Sequence, residues 1–195
     1  MTHLLELLTE NELKLVTTST FSKDEIIFHE NEKCENFGFL LSGTASIISY
    51  SFEGKNILFR TLKKHDCFGE NLIFSNDPIY KGNVIATSTT TIAFINKENL
   101  LFILQENRNF LIEFLNLTSE FAKDLNSKIK ILSFDNAQER FTYFMHINKN
   151  SYTMHNITDL ASQLGISRET LSRLLTKLQN EEKIVILGKK ITLID

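Results

Sequence analysis

The chain has 195 residues, of which 42% are hydrophobic and 23% charged, and a formal net charge of −3. That balance suits an ordinary globular protein and excludes one that coats nucleic acid indiscriminately. No apolar run reaches the roughly 20 residues of a bilayer-spanning helix, so no membrane partner is expected. Two cysteines, Cys34 and Cys67, are too few for a disulfide framework or a four-cysteine cluster, so no iron–sulfur cluster is expected.

The first residues, MTHLLELLTENEL, carry acidic side chains where a secretory leader would carry basic ones. The expectation is a cytoplasmic protein with both thiols reduced. Leu4, Leu5, Leu8, Leu13 and Val16 can share one broad face, which predicts a short amphipathic helix over residues 4–16. From Phe21 to about Ile95 the period becomes strand-like. Residues 26–28, 37–41, 44–51, 57–62 and 84–94 read as β-runs. Turn formers separate them: residues 32–35, Ser42-Gly43, Glu53-Gly54-Lys55, His65-Asp66 and Asn76-Asp77-Pro78. Short strands so punctuated predict a closed β-roll or barrel. In residues 88–95, Thr89, Thr91 and Ala93 fall on one face and Thr90, Ile92 and Phe94 on the other. Cys34, between Lys33 and Glu35, reads as a surface thiol, and His65-Asp66-Cys67 as an exposed turn.

Helical periodicity returns at Lys97 and persists to Leu132, with a break expected near residues 106–108. Leu111, Leu115, Thr118, Ala122, Leu125, Ile129 and Leu132 alternate at spacings of four and three, the heptad seam of a helix paired with a partner helix. Phe110, Phe114, Leu117 and Phe121 form a neighbouring stripe. One stripe would cover the β-domain and the other would meet a second subunit, predicting a homodimer. Phe134-Asp135-Asn136 follows as a hinge, Ala137–Ile147 as another amphipathic helix, and residues 148–151 as a polar loop.

Residues 156–184 read as two short helices around a tight turn. Asn156 is the N-cap of the first, with Asp159 at its third position. Ile157, Leu160, Ala161 and Leu164 make its apolar face, and Gly165 supplies the positive φ that ends it. Ser167 caps the second helix, whose apolar stripe is Leu171, Leu174, Leu175 and Leu178. Its opposite face carries Arg168, Glu169, Thr170, Ser172, Arg173, Thr176 and Lys177. Arg forks onto guanine, Glu accepts from the cytosine amino group, and Ser or Thr bonds phosphate or base, a set that suits the DNA major groove. Residues 183–187 and 190–194 form a hairpin about Gly188-Lys189, with Lys189 and Lys190 at its tip. Residues 137–195 hold 8 Lys+Arg against 6 Asp+Glu, leaving 13 against 18 for residues 1–136, a mildly basic end on an acidic body.

A β-roll, a long helix and a winged helix-turn-helix, in that order, resemble the Crp/Fnr superfamily of bacterial transcription regulators. The most specific match is Gly165-Ile166-Ser167-Arg168-Glu169-Thr170-Leu171-Ser172-Arg173-Leu174-Leu175, similar to the family's recognition-helix signature. Leu41-Ser42-Gly43-Thr44 and Phe52-Glu53-Gly54-Lys55 resemble its β-roll glycine turns. Asp66-Cys67-Phe68-Gly69-Glu70 resembles the segment opening its effector pocket, and Phe134-Asp135 its hinge. The resemblance implies an α+β protein with three parts: a β-roll sensor (double-stranded β-helix, jelly-roll-like) over residues 1–108, a dimerisation helix and hinge over 109–135, and a winged helix-turn-helix over 136–195. It implies a double-stranded DNA operator and RNA polymerase as partners. Glu169 and Arg173 match the positions that read the TGA core of each half-site, and Ser172 matches an Fnr-branch position, pointing to TTGAT-like half-sites. Arg168 also matches the cAMP-receptor branch, which leaves the outer bases open. Where cAMP-binding members carry an Arg-Ser phosphate clamp, this chain has Tyr80 and Lys81. Lysine cannot form that bidentate clamp, so cAMP is not expected. An unidentified anionic effector using Arg60, Gly69, Glu70, Tyr80 and Lys81 remains open.

The histidines, His3, His29, His65, His146 and His155, show no ligand spacing, and no metal site is expected. Neither a phosphate-binding glycine loop nor a nucleophile motif occurs, and no catalytic residue is assigned. Two other classes stay open: a nucleotide-binding signalling module acting on a protein partner without DNA specificity, and a β-barrel enzyme.

Overall fold

Between Thr17 and Asn96 side chains alternate at the strand period, and the chain folds as eight strands: β1 (Thr17–Phe21), β2 (Ile26–Phe28), β3 (Asn36–Ser42), β4 (Thr44–Tyr50), β5 (Asn56–Lys63), β6 (Cys67–Phe68), β7 (Asn83–Ala86) and β8 (Thr90–Asn96). The computed structural model describes residues 4–54, 56–154 and 156–194. Lys55 of the predicted glycine turn, with His3 and His155, lies outside the described residues. The strands form two four-stranded sheets, in the orders β1-β8-β3-β6 and β2-β7-β4-β5, antiparallel throughout. This is the expected jelly-roll-like β-roll. Phenyl rings close it: Phe28 of one sheet meets Phe94 and Phe68 of the other at 5.8 and 6.1 Å between centroids.

Several expectations need correction. Residues 4–16 are not one helix but a 3₁₀ turn, Leu4–Leu7, and a short α1, Glu10–Leu13. Thr9 divides them, because its hydroxyl accepts from the Glu12 amide while the Glu12 carboxylate accepts from the Thr9 amide, a capping box that starts a new helix. The run 84–94 is two strands in different sheets. Between them the Thr87 and Ser88 amides donate to the Thr44 carbonyl, and the chain crosses from one sheet to the other. Thr89 therefore belongs to the crossing and not to β8. Strand β1 precedes the expected start at Phe21. Cys34 is no surface thiol, and Cys67 is not in an exposed turn. Both are 1% exposed, Cys67 within β6 against β3. Burial raises both thiol pKa values, which disfavours the reactive thiolate.

Helical residues then give α2 (Lys97–Glu106), capped by Asn96, and the 26-residue α3 (Arg108–Ser133), the break falling at Asn107 as expected. The chain forms two compact units, Met1–Glu120 and Phe121–Asp195, which divide within α3. The second contains α4 (Ala137–Ile147), β9 (Ser151–Thr153), α5 (Ile157–Leu164), α6 (Arg168–Asn180), β10 (Ile184–Leu187) and β11 (Lys190–Leu193). Ser151, read as the end of a polar loop, instead begins β9, which makes the wing a three-stranded sheet, β10-β11-β9. Its core gathers Phe141, Phe144 and Met145 of α4, Leu160 and Leu164 of α5, and the four α6 leucines. Each such burial contributes about 2 kcal/mol, enough to fix which face of α6 points inward.

Candidate nucleic-acid interface and effector site

Local chemistry sets the course of the helix-turn-helix. Asn156 accepts from the Asp159 amide at the start of α5. Gly165 ends that helix at φ 62°, and Ser167 caps α6 by accepting from the Thr170 amide. A Cβ at Gly165 would lie 2.4 Å from Leu132 Cδ2, a side-chain end that can shift, so it is the positive φ that calls for glycine. With Leu171, Leu174, Leu175 and Leu178 buried, the side chains of Ser167, Arg168, Glu169, Thr170, Ser172, Arg173 and Lys177 are all exposed. Glu169 is held below the ordinary carboxylate pKa, first by its own backbone amide, then by Ser167, with Arg168 and Arg173 adding to the effect. An ionised acceptor thus stands one turn from a permanent cation.

Two of the predicted DNA-contact residues on α6 also border a cleft. Glu169, Ser172 and Arg173 lie on the outer ridge, as the helical spacing requires. Thr170 and Lys177 turn toward α4, where with Phe134, Tyr143 and His146 they line a cleft of about 780 Å³. The Lys177 ammonium donates to Gln138 Oε1 at 3.2 Å and pairs with Glu181 at 3.8 Å. Lys189 and Lys190 stand exposed at the wing tip beside Gly188, φ 60°.

The two stripes of α3 have different fates. Phe110 and Phe114 are buried in the β-roll core and Leu117 packs against it. On the heptad seam Leu115, Leu125, Ile129 and Leu132 are 42–58% exposed, Ala122 is exposed and Thr118 half-buried, whereas Leu111, expected on the seam, packs against the roll core beside Phe110. Ile112, a turn before Leu115, adds another exposed apolar side chain that the heptad count missed.

In the β-roll, Arg60 and Glu70 come together. The Arg60 guanidinium donates to Glu70 Oε1 at 3.0 Å, with the Glu70 side chain 1% exposed and that of Arg60 32%. Gly69 turns the chain at φ 85°, where a Cβ would meet the Asn36 carbonyl at 2.7 Å. Burial raises the Glu70 pKa above its ordinary value, only partly opposed by Arg60. Glu70 Oε2 is buried without a hydrogen-bond partner among the described residues, and the buried Tyr80 hydroxyl lies beside the Cys34 thiol. Tyr80 stacks on Phe28 at 4.9 Å, inside the roll. Lys81 does not join them: it is exposed and pairs with Asp77 at 3.6 Å. Among the described residues no group of His, Cys, Asp and Glu could hold a metal ion, and no helix is long and apolar enough to cross a membrane.

Comparison with known proteins matches residues 18–107 to the cyclic nucleotide-binding domain and residues 154–195 to the Crp-like helix-turn-helix domain, about two thirds of the chain together. The anaerobic regulatory protein of Bacillus subtilis is 26% identical over 181 residues, covering 87% of this chain and 76% of that protein. The cAMP-activated global transcriptional regulator CRP of Pasteurella multocida is 26% identical over 183 residues, covering 87% of this chain and 86% of that protein. Among solved structures, a CooA mutant from Carboxydothermus hydrogenoformans superposes with a TM-score of 0.76 at 21% identity, over 100% of this chain and 92% of that one. OCPA-complexed CprK gives 0.77 at 14% identity, over 94% and 87%.

Proposed function

Because the chain belongs to the Crp/Fnr superfamily of DNA-binding transcription regulators, we propose that it works as a homodimer on an inverted-repeat operator with TTGAT-like half-sites. The observation that carries this reading is the exposed ridge of Glu169, Ser172 and Arg173 on a helix whose other face is leucine core. Glu169 accepts from a cytosine amino group, Arg173 forks onto a guanine, and Ser172 extends the read toward the outer bases. Lys189 and Lys190 hold the phosphate backbone beside the groove. The exposed seam of α3 pairs two chains, which sets the recognition helices about 34 Å apart, one turn of DNA. Contact with RNA polymerase and a cytoplasmic location belong to the same reading. The relatives named above are an anaerobic regulatory protein and a global transcriptional regulator, and no catalytic role is proposed for any residue.

A small-molecule effector in the β-roll would shift the dimer between two recognition-helix spacings. Glu70 Oε2 and the half-exposed Arg60 suit a ligand with a hydroxyl and an anionic group. Tyr80, packed inside, and Lys81, which faces solvent with Asp77, support the reading that cAMP is not the effector. Selection of bound sequences from random duplex DNA tests the function: an inverted repeat of TTGAT-like halves is expected. Retention of DNA without any common sequence would defeat it and favour a signalling module. Calorimetric titration with cAMP is expected to show no binding at physiological concentration.

A further inference from the structure

The junction between α3 and the helix-turn-helix holds a side chain that base reading leaves unused. Arg140, fourth residue of α4, donates from Nε to the Phe134 carbonyl at 2.9 Å. From Nη1 it donates to the carbonyls of Leu164 and Gly165 at 3.2 and 3.1 Å. One guanidinium therefore joins the backbone just beyond α3 to the turn that launches the recognition helix. The α5 carbonyls are the negative end of a helix with no intrahelical donors left, so a fixed cation suits them. The planar fork reaches all three acceptors, which a lysine point charge cannot. The same turn packs directly on the spine: the Gly165 Cβ position lies 2.4 Å from Leu132 Cδ2, and the neighbouring Ile131 is 4% exposed in the second core.

We infer that Arg140 is a positioning residue, locking the recognition helix to the last turn of α3 so that the spine dictates the separation of the two helices in a dimer. This rests on the operator-reading homodimer proposed above. A merely structural role, holding the α5–α6 turn in shape, would weaken every DNA contact alike. A positioning role weakens only those complexes in which both helices must land at a set distance.

The test is fluorescence anisotropy of the full chain on three duplexes: the selected inverted repeat, the same repeat with its spacer changed by one base pair, and a single half-site. Arg140→Met is expected to lose roughly tenfold on the inverted repeat and under about twofold on the half-site, about the net worth of one hydrogen bond reaching the DNA complex. Its preference for the native spacer over the altered one should shrink by a similar factor. Arg140→Lys, which keeps the charge and part of the bonding, should fall between, and it gives the same ratio if Arg140→Met does not fold. Equal losses on half-site and repeat, or an unchanged spacer preference, overturn the inference. A wild-type chain that ignores the inverted repeat defeats the functional reading itself, a separate result.

Discussion

At the scale of the residue, two carboxylates of this chain carry opposite electrostatic assignments for physical reasons. Glu169, exposed at a helix N-terminus, is ionised by its own backbone amide and by Ser167. Glu70, buried in the roll, is pushed the other way despite Arg60 at 3.0 Å, because desolvation outweighs the pair. Glu169 is thus an acceptor ready for a base edge. Glu169→Ala and Arg173→Ala should each erase roughly ten- to a hundredfold discrimination at one base pair, leaving other positions unchanged, as measured with single-substitution operators. For Glu70 the folded form holds its proton above the ordinary 4.5. Its contribution to stability is therefore complete below that value and declines as pH rises through the raised one. Glu70→Gln should flatten the thermal midpoint against pH above 4.5, and an unchanged slope would refute the assignment.

At the scale of the element, caps and glycines explain where helices begin and end, and burial explains which way they face. The α6 leucines turn the Glu169 ridge outward, and Phe110 and Phe114 commit the start of one α3 stripe to the roll. The wing reads differently. Lys189 and Lys190 sit on a hairpin tip, where side chains can meet phosphates but carry no base code. Lys189→Ala or Lys190→Ala should weaken operator and scrambled DNA alike and reduce the salt slope by about 1, read from titrations at several salt concentrations. Sequence-dependent losses would move the wing from holding to reading.

At the scale of the whole molecule, an apolar seam as long as that of α3 is costly to leave in water, and in the proposed homodimer a second copy of the same helix would cover it symmetrically. Ile129 is 58% exposed, so Ile129→Asp costs little within one chain. Sedimentation should find the variant monomeric with an unchanged melting profile and its inverted-repeat affinity lost. A dimer that survives, or a chain that unfolds, would place the seam inside one subunit.

Much of this was legible without coordinates, because it depends on neighbours in the chain. Gly165, Ser167 and Asn156 announce their caps, the leucine spacing announces the faces of α5 and α6, and the glycine turns announce the roll. Pairing over long sequence distances was not legible. Nothing local says that residues 87–89 cross between sheets, that Ser151 starts a third wing strand, or that Cys34 and Cys67 are buried. Nor does spacing reveal that Lys81 leaves Arg60 and Glu70 for solvent, or that Arg140 gathers three carbonyls from two ends of a junction. Periodicity and caps are properties of consecutive residues and the chain states them itself. Burial, desolvation and the reach of a guanidinium depend on which distant segments pack together, and only the folded structure decides them.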